Sequence, residues 1–237
     1  MSFDLTIDFD FEALDKAVYT AAKEVFGKLQ RDYGNETFYT FNLVSGDVSQ
    51  YVTVFVDSEE ELSRNASEEK LSPGLELALE DRRYLLRHSL RNNKFNTGVT
   101  GGEIDNSFSG ATDLLLALQT QVEALEERVL DDEEMDDDEF DDFVYEEVHE
   151  PVEAALKRAM QRLDRDGAFE LTNARENVHL GVLSSGDRGE LLGPYTDLNP
   201  AGSCAKYSED VKAYQNARNK LDNPQTDKRG CRWFGLF

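Results

Sequence analysis

Between Phe11 and Val56 the apolar residues change period once, and that change confines the chain to folds that combine helices with a sheet. From Phe11 to Tyr33, Leu14, Val18, Ala21, Ala22, Val25, Phe26 and Leu29 recur at three- and four-residue steps, which is one face of a helix. Asp10 is placed to cap its start, and Gly34 to end it in the left-handed conformation. Thr37–Val44 and Tyr51–Val56 are instead dominated by β-branched and aromatic residues, and SGDVSQ between them has turn chemistry. The two runs read as an antiparallel hairpin with one face on the first helix. A two-stranded hairpin is marginal alone, so a third strand is required, and Asn177–Ser184 supplies it through the alternation of Val178, Leu180 and Val182.

The remaining periodic segments are helical. Ser72-Pro73 suits a cap followed by proline at the first helical position, and Leu75, Leu79, Leu86 and Leu90 carry that helix to about Arg91. Its end holds a basic cluster, Arg82, Arg83, Arg87, His88, Arg91 and Lys94, where the helix dipole favours cations. A Gly/Asn-rich stretch, 92–110, reads as an exposed loop. Leu114, Leu115, Leu118, Val122, Leu125 and Val129 mark a further helix, expected to pack on the sheet. Phe140, Phe143, Val144, Val148, Val152, Leu156, Met160 and Leu163 keep a stripe in phase through Pro151, so a helix kinked at the proline is expected, in preference to a new helix with Pro151 in its first turn. Gly186, Gly189, Gly193, Pro194, Pro200 and Gly202 mark loops before a short final helix over Tyr207–Asn219, and the tail CRWFGLF should fold back on the body. The expected fold is α+β, a small antiparallel sheet of three or more strands packed against several amphipathic helices, in a single domain over 1–237.

Charge is concentrated. Residues 131–150 hold thirteen carboxylates and no Lys or Arg, out of a formal net charge of −24; the remaining −11 is spread over the other 217 residues. Adaptation to high salt would distribute acid over every helix face, so this localised excess fits it poorly. A local acidic field repels nucleic acid and anionic membranes and attracts basic surfaces over roughly 8 Å. The candidate partner-binding residues are therefore Asp131, Asp132, Glu133, Glu134, Asp136, Asp137, Asp138, Glu139, Asp141 and Asp142, with a basic protein as the partner. Two other readings compete: a solvated spacer with no partner, and docking onto the chain's own Arg82, Arg83, Arg87 and Arg91. Residues 131–135 are expected to form a mobile loop, with Asp136 to Asp142 at the helix start, where the dipole stabilises carboxylates.

Catalytic signatures are missing from the sequence. Leu163-Asp164-Arg165-Asp166-Gly167 resembles part of a calcium loop, but aligning Gly167 with the invariant glycine puts Arg162 and Asn173 where acidic ligands belong. His88, His149 and His179 have no metal-ligand spacing with one another or with a cysteine. No phosphate-binding glycine loop, dinucleotide fingerprint or serine-nucleophile elbow is present. Cys204, in an expected loop, and Cys231 read as free thiols of a reducing cytosol; the acidic start MSFDLTIDFDF is unlike a secretory signal, and no apolar run approaches a membrane span. A cytoplasmic protein is expected, with no cofactor and no metal.

Three pieces occur in order: the first helix, then Glu36-Thr37-Phe38-Tyr39-Thr40-Phe41 entering the hairpin, then Gly167-Ala168-Phe169-Glu170 with Asn173, Arg175 and Glu176 before the third strand. Over about residues 10–215 this resembles the bacterial domain-of-unknown-function family 4303, whose members run from a helix into a phrase like ETFYAFAL and later show G-x-F-G-x-G-x-x-R-E before a strand. Glu170 and Asn173 stand near where glycines are usual, and the insert around Asn92–Asp142 has no clear counterpart. The family has no established activity, so the resemblance transfers no catalytic residue. In size, acidity and lack of catalytic motifs its members resemble small proteins that neutralise bacterial toxins, which implies an immunity-like or regulatory interaction protein. The competing expectation is an enzyme with a site near Arg175, Glu176 and His179.

Overall fold

The computed structural model describes residues 5–46, 51–68, 77–87, 105–131, 136–170, 173–184 and 195–222. In chain order the elements are α1 (Phe11–Asp32), β1 (Phe38–Ser45), β2 (Val52–Ser58), α2 (Glu59–Glu68), α3 (Leu79–Leu86), α4 (Ser109–Asp131), α5 (Asp137–Val144), α6 (Glu150–Arg165), β3 (His179–Ser184) and α7 (Ala201–Asp222). No described helix is long and apolar enough to cross a membrane.

The α+β expectation holds, but the sheet is mixed rather than antiparallel. Its order is β2-β1-β3, with β1 antiparallel to β2 and parallel to β3. β1 and β3 are each entered from a helix on the same side of the sheet, α1 and α6, and these two helices pack on each other. Two helix-then-strand units laid side by side bring their strands in with the same sense, which alternation within Val178–Val182 does not encode.

One sheet face is apolar. Cross-strand rows Val56–Phe41–Leu180 and Val54–Leu43–Val182 lie on it, and they join Leu14, Val18, Phe26, Leu156, Met160 and Leu163 in one buried cluster. Phe26, Phe41 and Phe169 meet at its centre, with ring centroids 5.1–5.5 Å apart. The two phrases that carry the family resemblance therefore converge: Phe38 and Phe41 from one, Phe169 from the other, with Asn173 Nδ2 donating to the Phe38 carbonyl at 3.1 Å. Gly167 follows α6 with a φ of +73°, where glycine carries no steric cost.

Several local expectations are corrected. Asp10 does cap α1, accepting from the Glu12 and Ala13 amides, but Gly34 is not left-handed. What a side chain there would meet is the Gln30 carbonyl, 3.2 Å from an ideal Cβ. The helix expected from Pro73 begins at Leu79 and ends before Arg87, which is extended; Ser72, Pro73 and residues 88–91 lie outside the described residues. Within the expected 92–110 loop, Asp105–Phe108 forms a 3-10 turn and Ser109 opens α4, because Phe108 is buried in the core. Helix α4 packs on α1 and α5 rather than on the sheet. Asp131 ends α4 instead of joining a loop, and residues 132–135 lie outside the described residues.

Pro151 does not kink a regular helix. The preceding turn, Tyr145–His149, is a π-helix in which the Glu150 amide reaches back to the Tyr145 carbonyl, five residues away. The wider turn accommodates a residue without an N–H, and Phe140, Val144, Val148, Val152, Leu156 and Met160 stay buried throughout. Helix α7 is longer than expected, taking in Gly202 and Cys204, which were expected in a loop. Helix α2 has no counterpart in the periodicity reading, because Leu62 and Ala66 are its buried apolar residues. Residues 185–194, where loops are expected, and residues 223–237 lie outside the described residues.

Candidate functional site

The other sheet face carries buried polar residues among a few apolar ones, and α2, α3 and α7 gather over it. The pairing places Asp57, Thr40 and His179 in one cross-strand row and Phe55, Asn42 and Gly181 in the next. A register shift between Phe38 and Thr40 makes Tyr39 an extra residue opposite Asp57. Such a bulge re-aims side chains: Phe38 stays in the apolar core while Tyr39 and Thr40 both serve the polar side.

Asp57 is fully buried and accepts from the Tyr39 hydroxyl at 2.6 Å and the Ser58 amide at 2.8 Å. Burial pushes its carboxyl up to about 7, against the pull of those two hydrogen bonds and of Arg87, with Glu61 adding to the rise. Burial beside Asp57 also holds the Tyr39 phenol well above its ordinary value. The Arg87 guanidinium lies over the Tyr39 ring, 4.2 Å from its centroid. Its Nη2 and Nη1 donate to Glu59 Oε1 and Oε2 at 2.7 and 2.9 Å, and its Nε to Asp210 Oδ2 at 2.8 Å. Burial disfavours the charge on Arg87, but Glu59 and Asp210 outweigh it and raise its pKa. Burial likewise pushes Glu59 up, and Arg87 and Arg83 outweigh it and hold Glu59 low. His179, 3% exposed, stacks on Tyr207 with centroids 4.8 Å apart. Burial raises the Tyr207 phenol to about 12.

Tyr39, Arg87, Asn177, His179, Ser203, Lys206, Tyr207 and Asp210 line a cleft of about 180 Å³. Part of that space is open solvent, and what is enclosed is far smaller than a pocket that holds a small organic ligand. One row further along the sheet, Asn42 Nδ2 donates to Thr40 Oγ1 at 2.8 Å, while its buried Oδ1 accepts no hydrogen bond. Gly181 makes room for that oxygen, since a Cβ there would collide with it. Tyr195, with a φ of +40°, closes over the same spot.

The trio expected for an enzyme is not assembled. Arg175 is spent on structure, donating to Asp164 at 2.6 Å and to the Val178 and Leu198 carbonyls at 2.7 and 2.8 Å. Glu176 is exposed. Of the three, His179 alone lines the cleft. Asp164 and Asp166 of the calcium-like loop are engaged by Arg175 and by Tyr19 and Lys23. Among the described residues no group of three His, Cys, Asp or Glu side chains is placed to hold a metal ion.

The acidic candidates divide. Asp136 caps α5, accepting from the Glu139 amide at 2.9 Å. Asp137, Asp138, Glu139, Asp141 and Asp142 are exposed beside it, followed by exposed Glu146, Glu147 and Glu150 and by Tyr145, 55% exposed. Asp132, Glu133 and Glu134 lie outside the described residues, and of Asp131 the backbone alone is described. Two arginines of the basic helix end are paired elsewhere: Arg83 and Arg87 with Glu59, and Arg87 also with Asp210. His88, Arg91 and Lys94 lie outside the described residues. His149 is half-buried against Tyr145, and burial lowers its pKa.

Sequence reasoning missed Asp57, Glu59 and Asp210. One signal was available for α2: Ser58 with Glu61 three residues on follows the capping-box spacing, and Ser58 Oγ accepts from the Glu61 amide at 3.1 Å. Nothing local marks Asp57 as buried, because its burial arises from strand pairing. No protein family, curated protein or solved structure matches the chain.

Proposed function

We propose that this chain is a non-catalytic interaction protein, immunity-like or regulatory, that docks a basic protein through the acidic ridge formed by α5, the π-turn and the start of α6. The observation that carries the reading is an imbalance in pairing. Several acids elsewhere meet cations of the same chain, Asp15 with Arg162, Asp166 with Lys23, Asp81 with Lys220, Asp197 with Lys157 and Asp222 with Arg218, while others such as Glu24 and Glu127 stand singly among the described residues; the ridge differs in that its unpaired carboxylates are consecutive. Among the described residues, none of the carboxylates from Asp136 to Glu150 is in an ion pair with another residue. An unneutralised field on a rigid helix accelerates encounter with a basic surface and disfavours nucleic acid. Kinship with family 4303 belongs to the same proposal and is supported by the phrases at Glu36–Phe41 and Gly167–Phe169.

The test is a capture experiment at low and high salt with wild type and a variant carrying Asn or Gln at positions 137, 138, 139, 141 and 142. Asp136 is retained because it caps α5. A basic partner held by the wild type at about 50 mM salt should be lost at about 500 mM, where the field reaches only a few ångströms, and lost from the variant at both. A partner retained equally by the variant, with the same salt dependence, refutes the proposal.

A further inference from the structure

Helix α3 is attached in an unusual way. None of the residues from Leu79 to Leu86 is buried, and Leu79 is half-exposed. Apolar packing, which stabilises most protein helices, is limited here to the partly buried Tyr84, Leu85 and Leu86. Ionic contacts reach from it and its cap to its neighbours: Arg83 to Glu59 at 2.8 Å, Lys220 to Asp81 at 2.6 Å, and Arg87 at its C-terminus. Arg87 is the exception to the exposure, its side chain 8% exposed.

The surroundings of Arg87 contain every element that recognises a guanidinium group. Glu59 accepts from both terminal nitrogens in the fork geometry, Asp210 accepts from Nε, and the guanidinium carbon lies over the Tyr39 ring, 4.2 Å from its centroid. These groups come from α2, α7 and β1, none of which belongs to the helix that supplies the arginine. Asp57 fixes the ring by accepting from the Tyr39 hydroxyl. The cleft lined by Asn177, Ser203 and Lys206 adjoins the arginine, so the pocket is not sealed by its occupant.

We infer that Tyr39, Glu59 and Asp210 form a guanidinium-binding site whose resident occupant is the chain's own Arg87, a tethered self-ligand whose place a free guanidinium group takes when Arg87 is removed. The site lies on the opposite sheet face from α6 and does not depend on the acidic ridge. Tethering gives Arg87 an effective concentration in the millimolar range or above, so a free guanidinium compound competes poorly with it in the wild type. Removing the tethered group exposes the site to measurement.

The experiment uses the full chain with R87A and reads the melting temperature against ethylguanidinium, with ethylammonium as a control of equal charge. The R87A protein should melt about 3–5 °C higher once ethylguanidinium reaches ten times its dissociation constant. Ethylammonium lacks the planar fork and should give no comparable rise. The wild type should respond to neither, and the double variant E59Q/R87A should lose the response. Should R87A not fold by itself, the same comparison is made on the recovery of its native circular dichroism, gained with ethylguanidinium and not with ethylammonium. Equal responses to the two cations, no response to either, or a response that survives Glu59→Gln overturns the inference. Each titrant carries a single charge, so failure here leaves the ridge proposal untouched, and failure of the ridge variant leaves this site untouched.

Discussion

Asp57→Asn should change how stability depends on pH, in a direction fixed by the geometry. The carboxyl is buried between the Tyr39 hydroxyl and the Ser58 amide, and its pKa is raised from 3.8 to about 7. Between those two values the folded chain holds a proton that the unfolded chain has released. Stability contributed by this group is therefore full below about pH 4 and falls as pH rises, by up to about 1.4 kcal/mol per pH unit, reaching about 4 kcal/mol by pH 7. Above about 7 the contribution is flat. Asparagine keeps the shape and an acceptor for the Ser58 amide but does not titrate, so the D57N protein lacks this slope.

The assay is urea unfolding of both proteins at matched ionic strength from pH 5 to 8, followed by circular dichroism. Urea is chosen because it is uncharged and leaves the ionic strength matched. Forty-nine acidic residues make the absolute profile of either protein a composite. Taking the difference between the two proteins cancels carboxylates remote from Asp57. That difference should move in favour of D57N by about 2 kcal/mol between pH 5 and 7 and then level off. A difference that stays constant across the range refutes the argument that burial dominates the ionisation of Asp57.

Two further outcomes follow from the packing. Gly181→Ala should cost about 1–3 kcal/mol in denaturant unfolding, as overpacking does, because its Cβ would collide with Asn42 Oδ1; the cost should shrink in an N42A background, and equal costs in both would place the clash elsewhere. Pro151→Ala should change stability by less than about 1 kcal/mol, since the π-turn already relieves most of the roughly 3 kcal/mol that proline costs inside a regular helix; a gain near the full value would show that the turn relieves nothing.

The sequence determined the elements whose side chains repeat strongly enough to declare a face. Leu14 to Leu29 mark α1, and the β-branched runs either side of residues 45–50 mark the hairpin. The stripe from Phe140 to Leu163 runs unbroken through a proline because its four-residue spacing matches a helix that widens for one turn. Helix α2 escaped because its two buried apolar positions amount to a single turn of pattern. The exposure of Asp137 to Asp142 was likewise legible, since carboxylates without cations at helical spacing have nowhere to be buried.

Tertiary structure decided the rest. The parallel sense of β3 depends on the end of the sheet from which the chain enters it after α6, and alternation within a strand carries no information about direction. The polar site is assembled from residues as far apart as Tyr39, Asp57, Arg87 and Asp210. Each is an ordinary surface residue when read locally. The basic cluster at the end of α3 invited a match with the densest acidic segment, yet Arg87 is held by Glu59 and Asp210, which carry no local mark. Charge density along the chain measures long-range attraction. Which charge is buried against which is set by the strand pairing and helix packing that bring Glu59, Asp210 and the Tyr39 ring within about 4 Å of one guanidinium.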